Sequence, residues 1–347
     1  MGDISGDMKG PMTILITGAA GYVGRAAVAA ARARGHHVVA VVRLAGVTPD
    51  GWDQDDGIEL VEADLSAPSS VLALDMLGVD AVIHAAASLT GDDAAQARNT
   101  LDGTRHLLAA MAQADVPPRL VLVSSVAVYS GADLAPNGIV DETSALERHP
   151  DQRDAYCRAK LAQEQLAAET IQVIGGQLRV LRLGAVFGPE RLWNAHIGPG
   201  FGPIVLRLAA GGEIPLCHIA NCAEALIRAC ECPVADGPDG AIDVLNLIDD
   251  DLPDRVRFLN AMARTGWPRV VLPVSWRLFD WASGLLGWLP GRPGILRQEV
   301  LRARMQPLFY PNDRLKHRLH MGPMPSFEQS FAVSMGVDDP QDRDGEG

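Results

Sequence analysis

Tyr156 and Lys160 stand four residues apart in AYCRAK, residues 155–160, a spacing that puts both side chains on one face of a helix. An ammonium beside a phenol favours the phenolate and draws down a pKa that starts near 10. The tyrosine then becomes usable as a proton donor or acceptor at neutral pH. Only three lysines, Lys9, Lys160 and Lys316, occur beside 27 arginines, so lysine at 160 reads as a choice of chemistry. Thirty-one residues upstream of Tyr156 an apolar strand ends in Ser124-Ser125. Either hydroxyl could hold the same substrate oxygen or satisfy local backbone groups.

A second constellation is TGAAGYVG, residues 17–24, where Gly18, Gly21 and Gly24 fall at three-residue spacing between a short apolar strand and an alanine-rich helix. Glycines there permit a tight turn and close backbone approach, and the helix that begins at Tyr22 and Val23 offers free amides and a positive dipole end to a pyrophosphate. Nineteen residues after Gly24, at the end of the second strand, stands Arg43. An acid there would accept ribose hydroxyls, whereas a guanidinium pairs with a 2′-phosphate, so a preference for NADP(H) over NAD(H) is expected. Asp64-Leu65 closes the third strand near the expected adenine position, although aspartate also starts turns. Cys217, His218 and Cys222 are the nearest approach to a metal cluster, but no CxxC pair or second Cys/His group joins them. No metal is expected.

The elements that must position these residues follow from apolar periodicity. Strands are expected over 13–16, 37–42, 58–62, 80–84, 120–123, 178–183 and 241–248, with helices over 25–34, 99–114, 154–170 and 222–231. All-apolar strands alternating with helices imply an α/β, doubly wound parallel sheet. The alternation stops after Gly188-Pro189, where residues 190–215 become rich in glycine and proline. That places a dinucleotide-binding domain at 12–189 and a smaller C-terminal substrate domain mainly at 190–335, with 216–248 returning to the core. The ends, 1–11 and 336–347, lack apolar periodicity and are expected to be loose.

TGAAGYVG, Asp64-Leu65, His84-Ala85-Ala86-Ala87, Asn99 in NTLDGT, SSVAVYS, YCRAK and LRLGAVFGP occur in that order over about residues 13–189. Together they resemble the extended short-chain dehydrogenase/reductases. The resemblance implies a Rossmann-type sheet, a bound nicotinamide dinucleotide and a Ser-Tyr-Lys catalytic group. It selects Ser125 over Ser124, assigns acid/base chemistry to Tyr156, and has Lys160 hold both Tyr156 and the nicotinamide ribose. Ala85, Ala86, Ala87, Asn99, Leu183 and Val186 are implied cofactor contacts.

Departures from the family patterns narrow the branch. Sugar-nucleotide dehydratases carry an Asp-Glu pair after the catalytic hydroxyl residue, where this chain has Val126 and Ala127. The asparagine that epimerases place three residues after the arginine of their LRxxN segment is Ala185 here. LRLGAVFGP resembles instead the segment of 3β-hydroxysteroid dehydrogenases and dihydroflavonol reductases, and Arg43 sits where the latter have their 2′-phosphate arginine. In HIANC, residues 218–222, Asn221 replaces the aspartate of the usual HVxDV segment; asparagine caps helices about as well. His218 there is expected to be structural. The implied activity is reduction of a ketone, or oxidation of a secondary alcohol, on a bulky, largely apolar small molecule. A sugar-nucleotide epimerase and a non-catalytic dinucleotide sensor are the alternatives, and a homodimer is implied by analogy.

Composition agrees. The 347 residues are 48% hydrophobic and 21% charged with net charge −13, which argues against an electrostatic grip on nucleic acid or anionic lipid, local basic patches excepted, and fits a soluble cytoplasmic protein. The start, MGDISGDMKGPM, lacks the basic end and apolar run of a signal peptide. Residues 274–290 are interrupted by Arg277 and Asp280 and are not expected to span a membrane. Five cysteines without a disulfide framework's density read as reduced thiols. In residues 274–290, Trp276, Leu278, Phe279, Trp281, Leu285, Leu286, Trp288 and Leu289 crowd together. With the loop around Trp193 and Phe201 they are expected to wall an apolar substrate pocket, a packed core helix being the plainer alternative and membrane-surface contact a third, weaker one because the basic face such a helix wants is thin.

Overall fold

The segments TILIT, AVIH and LRVLRL show no polar alternation on one side, and such strands are stable only with both faces covered. The computed structural model describes residues 10–43, 48–69, 74–208, 211–234, 241–285 and 297–336, and in it these segments are strands of one parallel sheet. Its seven strands are β1 (Thr13–Thr17), β2 (His37–Val42), β3 (Ile58–Glu62), β4 (Ala81–His84), β5 (Arg119–Ser125), β6 (Leu178–Leu183) and β7 (Ile242–Leu247). They lie in the order β3-β2-β1-β4-β5-β6-β7, every neighbouring pair parallel. The chain runs outward from β1 in one direction and from β4 in the other. A crevice therefore opens at their carboxyl ends, the place where doubly wound sheets bind ligands.

Alternate residues of each strand feed opposite core layers. Ile14, Ile16, Ile83, Val121 and Leu181 pack under α1 (Tyr22–Ala33) and α4 (Ile219–Glu231), while Leu15, Val82, Leu120, Leu122 and Val180 pack under α2 (Gly103–Met111) and α3 (Ala155–Ile174). Two buried arginines on β6 tie down a helix on each face. The Arg179 guanidinium donates to the carbonyls of Ala229, Cys232 and Pro233, at 3.0–3.2 Å, closing the C-terminal end of α4. Arg182 makes a two-pronged bond to Glu164 of α3, at 3.0 and 2.7 Å.

Element ends differ from the expectation where capping decides them. The α3 helix starts after Asp154, whose carboxylate accepts from Cys157 N, and runs to Ile174 because Gly175, at φ 71°, is the first residue able to turn the chain left-handed. The helix expected over 99–114 is preceded by a wider π turn, Ala97–Asp102, before the regular α2. The α4 helix begins at Ile219, with the His218 imidazole accepting from Ala220 N as the cap. Asn221 therefore lies inside the helix, where its amide donates to Asp249, and does not cap it.

Residues that leave the sheet build a second core. Phe187, Ile197, Val205, Phe258 of α5 (Arg255–Ala263), Phe327 and Phe331 cluster there, with the Phe258 and Phe327 rings stacked 5.6 Å apart and Phe331 set edge-on to Phe258 at 6.0 Å. Residues 1–9 and 337–347 of the ends expected to be loose lie outside the described residues. Among the described residues no helix is long and apolar enough to cross a membrane. Phe258 is fully buried, so Phe258→Ala should cost about 3–5 kcal/mol of stability. Urea unfolding measures this, and a loss below ~1 kcal/mol would show that the aromatic cluster does not close.

Candidate active site

The turn after β1 is set by contacts too close for any side chain. Gly18 has φ +65°, and a Cβ there would come within 2.9 Å of Ala86 at the end of β4; at Gly24 it would lie 2.1 Å from the Gly18 carbonyl. Helix α1 thus rests directly on the turn. Its N-cap is Gly21, so no side chain caps the first amides, and these are left for a ligand.

Two cavities meet at this turn, sharing Gly18, Gly21, Ala85 and Ala87. The larger, about 650 Å³, also takes in Tyr22, Val23, Gly24, Ser125, Tyr156, Lys160, Leu183 and Val186. The smaller, about 350 Å³, reaches Arg43, Leu65, Ala86 and Asn99, the last carried by the π turn. Of the expected catalytic and cofactor-binding residues, Asp64 alone lines neither. Its carboxylate accepts from Ser66 N and Oγ, at 3.0 and 2.9 Å, and those bonds hold it below the ordinary carboxylate range. Asp64 closes a turn, and Leu65 and Ser66 face the cavity in its place.

Ser125 ends β5 and opens a short 3-10 turn, its hydroxyl accepting from Ala127 N at 3.2 Å. The Ser124 hydroxyl is engaged by the Glu164 carboxylate, so geometry separates the two serines. Tyr156, on the first turn of α3, lines the same cavity as Ser125, and the Lys160 ammonium lies 6.0 Å from its ring centre. Burial pushes the Tyr156 phenol above its ordinary value while the nearby Ser125 hydroxyl opposes the rise. This corrects the expectation of a phenol drawn down by lysine: desolvation dominates, and the Lys160 ammonium is turned to the Val123 carbonyl and Gln163. Burial lowers Lys160 to about 8, against a smaller opposing pull from Glu164.

Lys160 is held by residues the sequence reading passed over. Its ammonium donates to the Val123 carbonyl at 2.7 Å and to Gln163 Oε1 at 2.9 Å. Gln163 Nε2 donates to Thr104 Oγ1 at 2.9 Å, and Thr104 donates to the Thr100 carbonyl at 2.6 Å. Its proton being committed, Thr104 accepts from His84 Nε2 at 2.9 Å, which leaves His84 Nδ1 to accept from Thr17 Oγ1 at 2.7 Å. His84 is thereby assigned as a neutral Nε2–H imidazole, in keeping with burial and the Lys160 charge lowering it to about 3. Gln163 lies one helical turn beyond Lys160, a spacing visible in the sequence; its partner Thr104 is 59 residues away.

The far wall of the larger cavity comes from distant segments: Tyr129, Val140, Arg153, His196, Arg304 and Tyr310. Burial keeps Tyr310 neutral, pushed up to about 12, and burial with the Arg255 and Arg304 charges lowers His196 to about 3. Arg304 pairs with Asp154 at 3.0 Å. Among the described residues the expected apolar wall does not form. Trp193 and Phe201 are 55% and 62% exposed and line neither of these two cavities, while Trp276 and Phe279 pack against Leu208, Leu301 and Met305 in a separate cluster. Leu286, Trp288 and Leu289 lie outside the described residues. Helix stripes alone do not reveal which neighbour they will meet. Cys217 and Cys222 are buried in the core beside α4.

A lysine whose folded pKa is depressed binds its proton less tightly than in the unfolded chain, so stability rises with pH between about 8 and 10.5. The rise from this group should be on the order of 3 kcal/mol and should be missing from Lys160→Met. Denaturant titrations of both proteins at the two ends of that window give the answer; identical pH dependences would mean that the ammonium is hydrated.

The sequence matches the NAD dependent epimerase/dehydratase family over residues 14–244. It is 30% identical to the 3-diazoavenalumate denitrifying reductase of Streptomyces sp, over 80% of this chain and 88% of that protein. It is 33% identical to cinnamoyl-CoA reductase 1 of Arabidopsis thaliana over 51% of this chain, and spans about half (53%) of that relative's length. A ketoreductase of Stigmatella aurantiaca, acting on a 4-hydroxy-2-methyl-3-oxo-4-farnesyl-3,4-dihydroquinoline-1-oxide, is 30% identical over 73% of each chain. The fold superposes on UDP-glucose 4-epimerase of Thermotoga maritima with TM-score 0.69 at 17% identity, covering 94% of this chain and 98% of that one. MoeE5, bound to UDP-glucuronic acid and NAD, superposes with TM-score 0.66 at 21% identity, covering 93% and 98%. The cradle formed by Gly18, Gly24 and the uncapped α1 fits a dinucleotide pyrophosphate. The chain thus belongs to the NAD-dependent epimerase/dehydratase family, the extended short-chain dehydrogenase/reductases.

Proposed function

We propose that the protein reduces a ketone, or oxidises a secondary alcohol, on a bulky and largely apolar small molecule, with NADP(H) as the preferred dinucleotide. The observation that carries this reading is the convergence of Ser125, Tyr156 and Lys160 with the glycine turn on one cavity, at a place where elimination chemistry would need further acids. The positions after Ser125 are Val126 and Ala127, and Asp154, the cavity's one carboxylate among the described residues, is paired with Arg304. Relatives named as reductases support it.

The dinucleotide, when bound, supplies or accepts the hydride. The glycine turn and the first amides of α1 would hold its pyrophosphate, Arg43 its 2′-phosphate, and Lys160 its nicotinamide ribose. Ser125 orients the substrate oxygen by hydrogen bonding, and Tyr156 gives that oxygen a proton as the carbonyl becomes an alcohol, or takes one in the reverse direction. A phenol above its ordinary pKa is suited to remain protonated until the developing alkoxide calls for the proton. Val126, Val140, Pro215, Ala303 and the rings of Tyr129 and Tyr310 keep water from the reacting carbon. A homodimer is the assembly proposed by analogy with the family.

The test is consumption of NADPH or NADH across a panel of large apolar ketones, small polar ketones and UDP- or dTDP-sugars. Highest kcat/KM is expected with the large apolar compounds; conversion of a sugar nucleotide without net cofactor consumption would establish an epimerase instead. Tyr156→Phe should lower turnover by about 10²-fold or more while dinucleotide affinity, read by fluorescence titration, stays within about threefold. Retention of most of the rate would remove Tyr156 from the acid/base role. Arg43→Ala should reduce the preference for NADPH over NADH by roughly five- to tenfold. Dissociation constants for the two cofactors decide this, and equal affinities in the unsubstituted protein would make it an NAD enzyme.

A further inference from the structure

Helix α6 (Trp276–Leu285) has two faces with different fates. Trp276 and Phe279 are tucked against Leu208, Leu301 and Met305, and Asp280 pairs with Arg302 at 2.9 Å. On the outward side Leu278 and Trp281, one turn apart, are each 66% exposed, beside an exposed Arg277. The strand immediately before the helix, Val270–Pro273, is exposed along its whole length, with Leu272 at 44%. It joins Ile204–Arg207 and, through that strand, Gly200–Phe201, where Phe201 is also exposed. Monomeric proteins rarely leave so many large apolar side chains together in water without a use for them.

Charge indicates the use. Residues 192–208 and 264–298 contain six arginines and a single aspartate, in a chain whose net charge is −13. Among the described residues, Arg207, Arg269, Arg277 and Arg297 have no carboxylate partner, whereas Arg302 and Arg304 on the neighbouring helix do. A patch of tryptophan, leucine and phenylalanine whose own segments carry guanidinium groups without carboxylate partners is complementary to a surface that is apolar beneath and anionic above. A second copy of the chain is a poorer occupant: a two-fold contact would set this cationic face against itself.

We propose that this face docks on an anionic phospholipid surface, Leu278, Trp281 and Phe201 entering the headgroup boundary and Arg269 and Arg277 meeting the lipid phosphates. The inner side of α6 packs on α7 (Gln298–Met305), whose Ala303 and Arg304 line the larger cavity. Docking therefore brings the substrate cavity within one helix of the bilayer, where an apolar substrate is concentrated. The docking proposal stands independently of the reaction proposed above.

The full chain should sediment with phosphatidylcholine vesicles containing about a third phosphatidylglycerol, bind pure phosphatidylcholine vesicles at least about tenfold more weakly, and be released as salt is raised. The double variant Leu278→Glu/Trp281→Glu should lose about tenfold or more of the binding to anionic vesicles, with its melting temperature and dinucleotide affinity unchanged. Equal binding to both lipid compositions, or unchanged binding by the double variant, overturns the proposal. So does light scattering that shows a dimer which the double variant dissociates, since the face would then belong to a second copy. If that double variant misfolds, Arg269→Glu/Arg277→Glu, which alters only exposed side chains, must show the same loss for the proposal to stand.

Discussion

Placing the Lys160 ammonium inside the protein is the constraint around which much of the polar interior is arranged. An isolated buried charge would cost several kcal/mol, and Lys160 avoids this only because the Val123 carbonyl and Gln163 accept two of its protons and Glu164 lies nearby. Gln163 is itself held by Thr104, Thr104 by the Thr100 carbonyl and His84, and His84 by Thr17. Thr17 immediately precedes Gly18 and also accepts from Ala86 N at 3.3 Å. One buried chain of hydrogen bonds thus fixes the lysine relative to the glycine turn, crossing from α3 through α2 to β4 and β1. Its proton assignment is unbroken, and this gives the chain a single geometry.

The same logic of shared polar partners organises the cavity's other side. Glu164 accepts from Ser124 and from Arg182, Arg182 lies over the Tyr129 ring at 4.8 Å, and the Tyr129 hydroxyl donates to Asn246 of β7 at 2.6 Å. The wall that would meet substrate is therefore braced by three strands and α3. The Arg255 guanidinium does comparable work in the second core, holding the carbonyls of His196 and Arg304, at 2.8 and 2.7 Å, and so fixing two cavity residues from segments far apart in sequence.

Sequence and structure agree most closely where a property is written within one short segment. The strand-turn-helix of residues 13–33, the four-residue spacing of Tyr156 and Lys160, and the apolar strands with both faces buried are of this kind, since covalent neighbours set periodicity and turn chemistry directly. The sheet class follows from the alternation of such segments, and family membership from the order of the motifs.

Tertiary packing decided what depends on partners distant in the chain. Which serine hydroxyl is engaged by a carboxylate depended on Glu164, 40 residues from Ser124. The direction of the Tyr156 pKa was set by burial, which spacing does not record. The apolar stripe of residues 276–281 encoded amphipathicity, but whether its faces met a cavity, a core or solvent depended on where Leu208, Leu301 and Met305 came to rest. Asp64 had a cofactor's position in the sequence and a turn's hydrogen bonds in the structure. The amino-acid order by itself therefore determined the sheet, the glycine turn and the spacing of the reactive groups, because these are local. Only the folded chain determined the cavity wall, the support of Lys160 and the exposed face of α6, because each requires side chains separated by tens to hundreds of residues to close on one another.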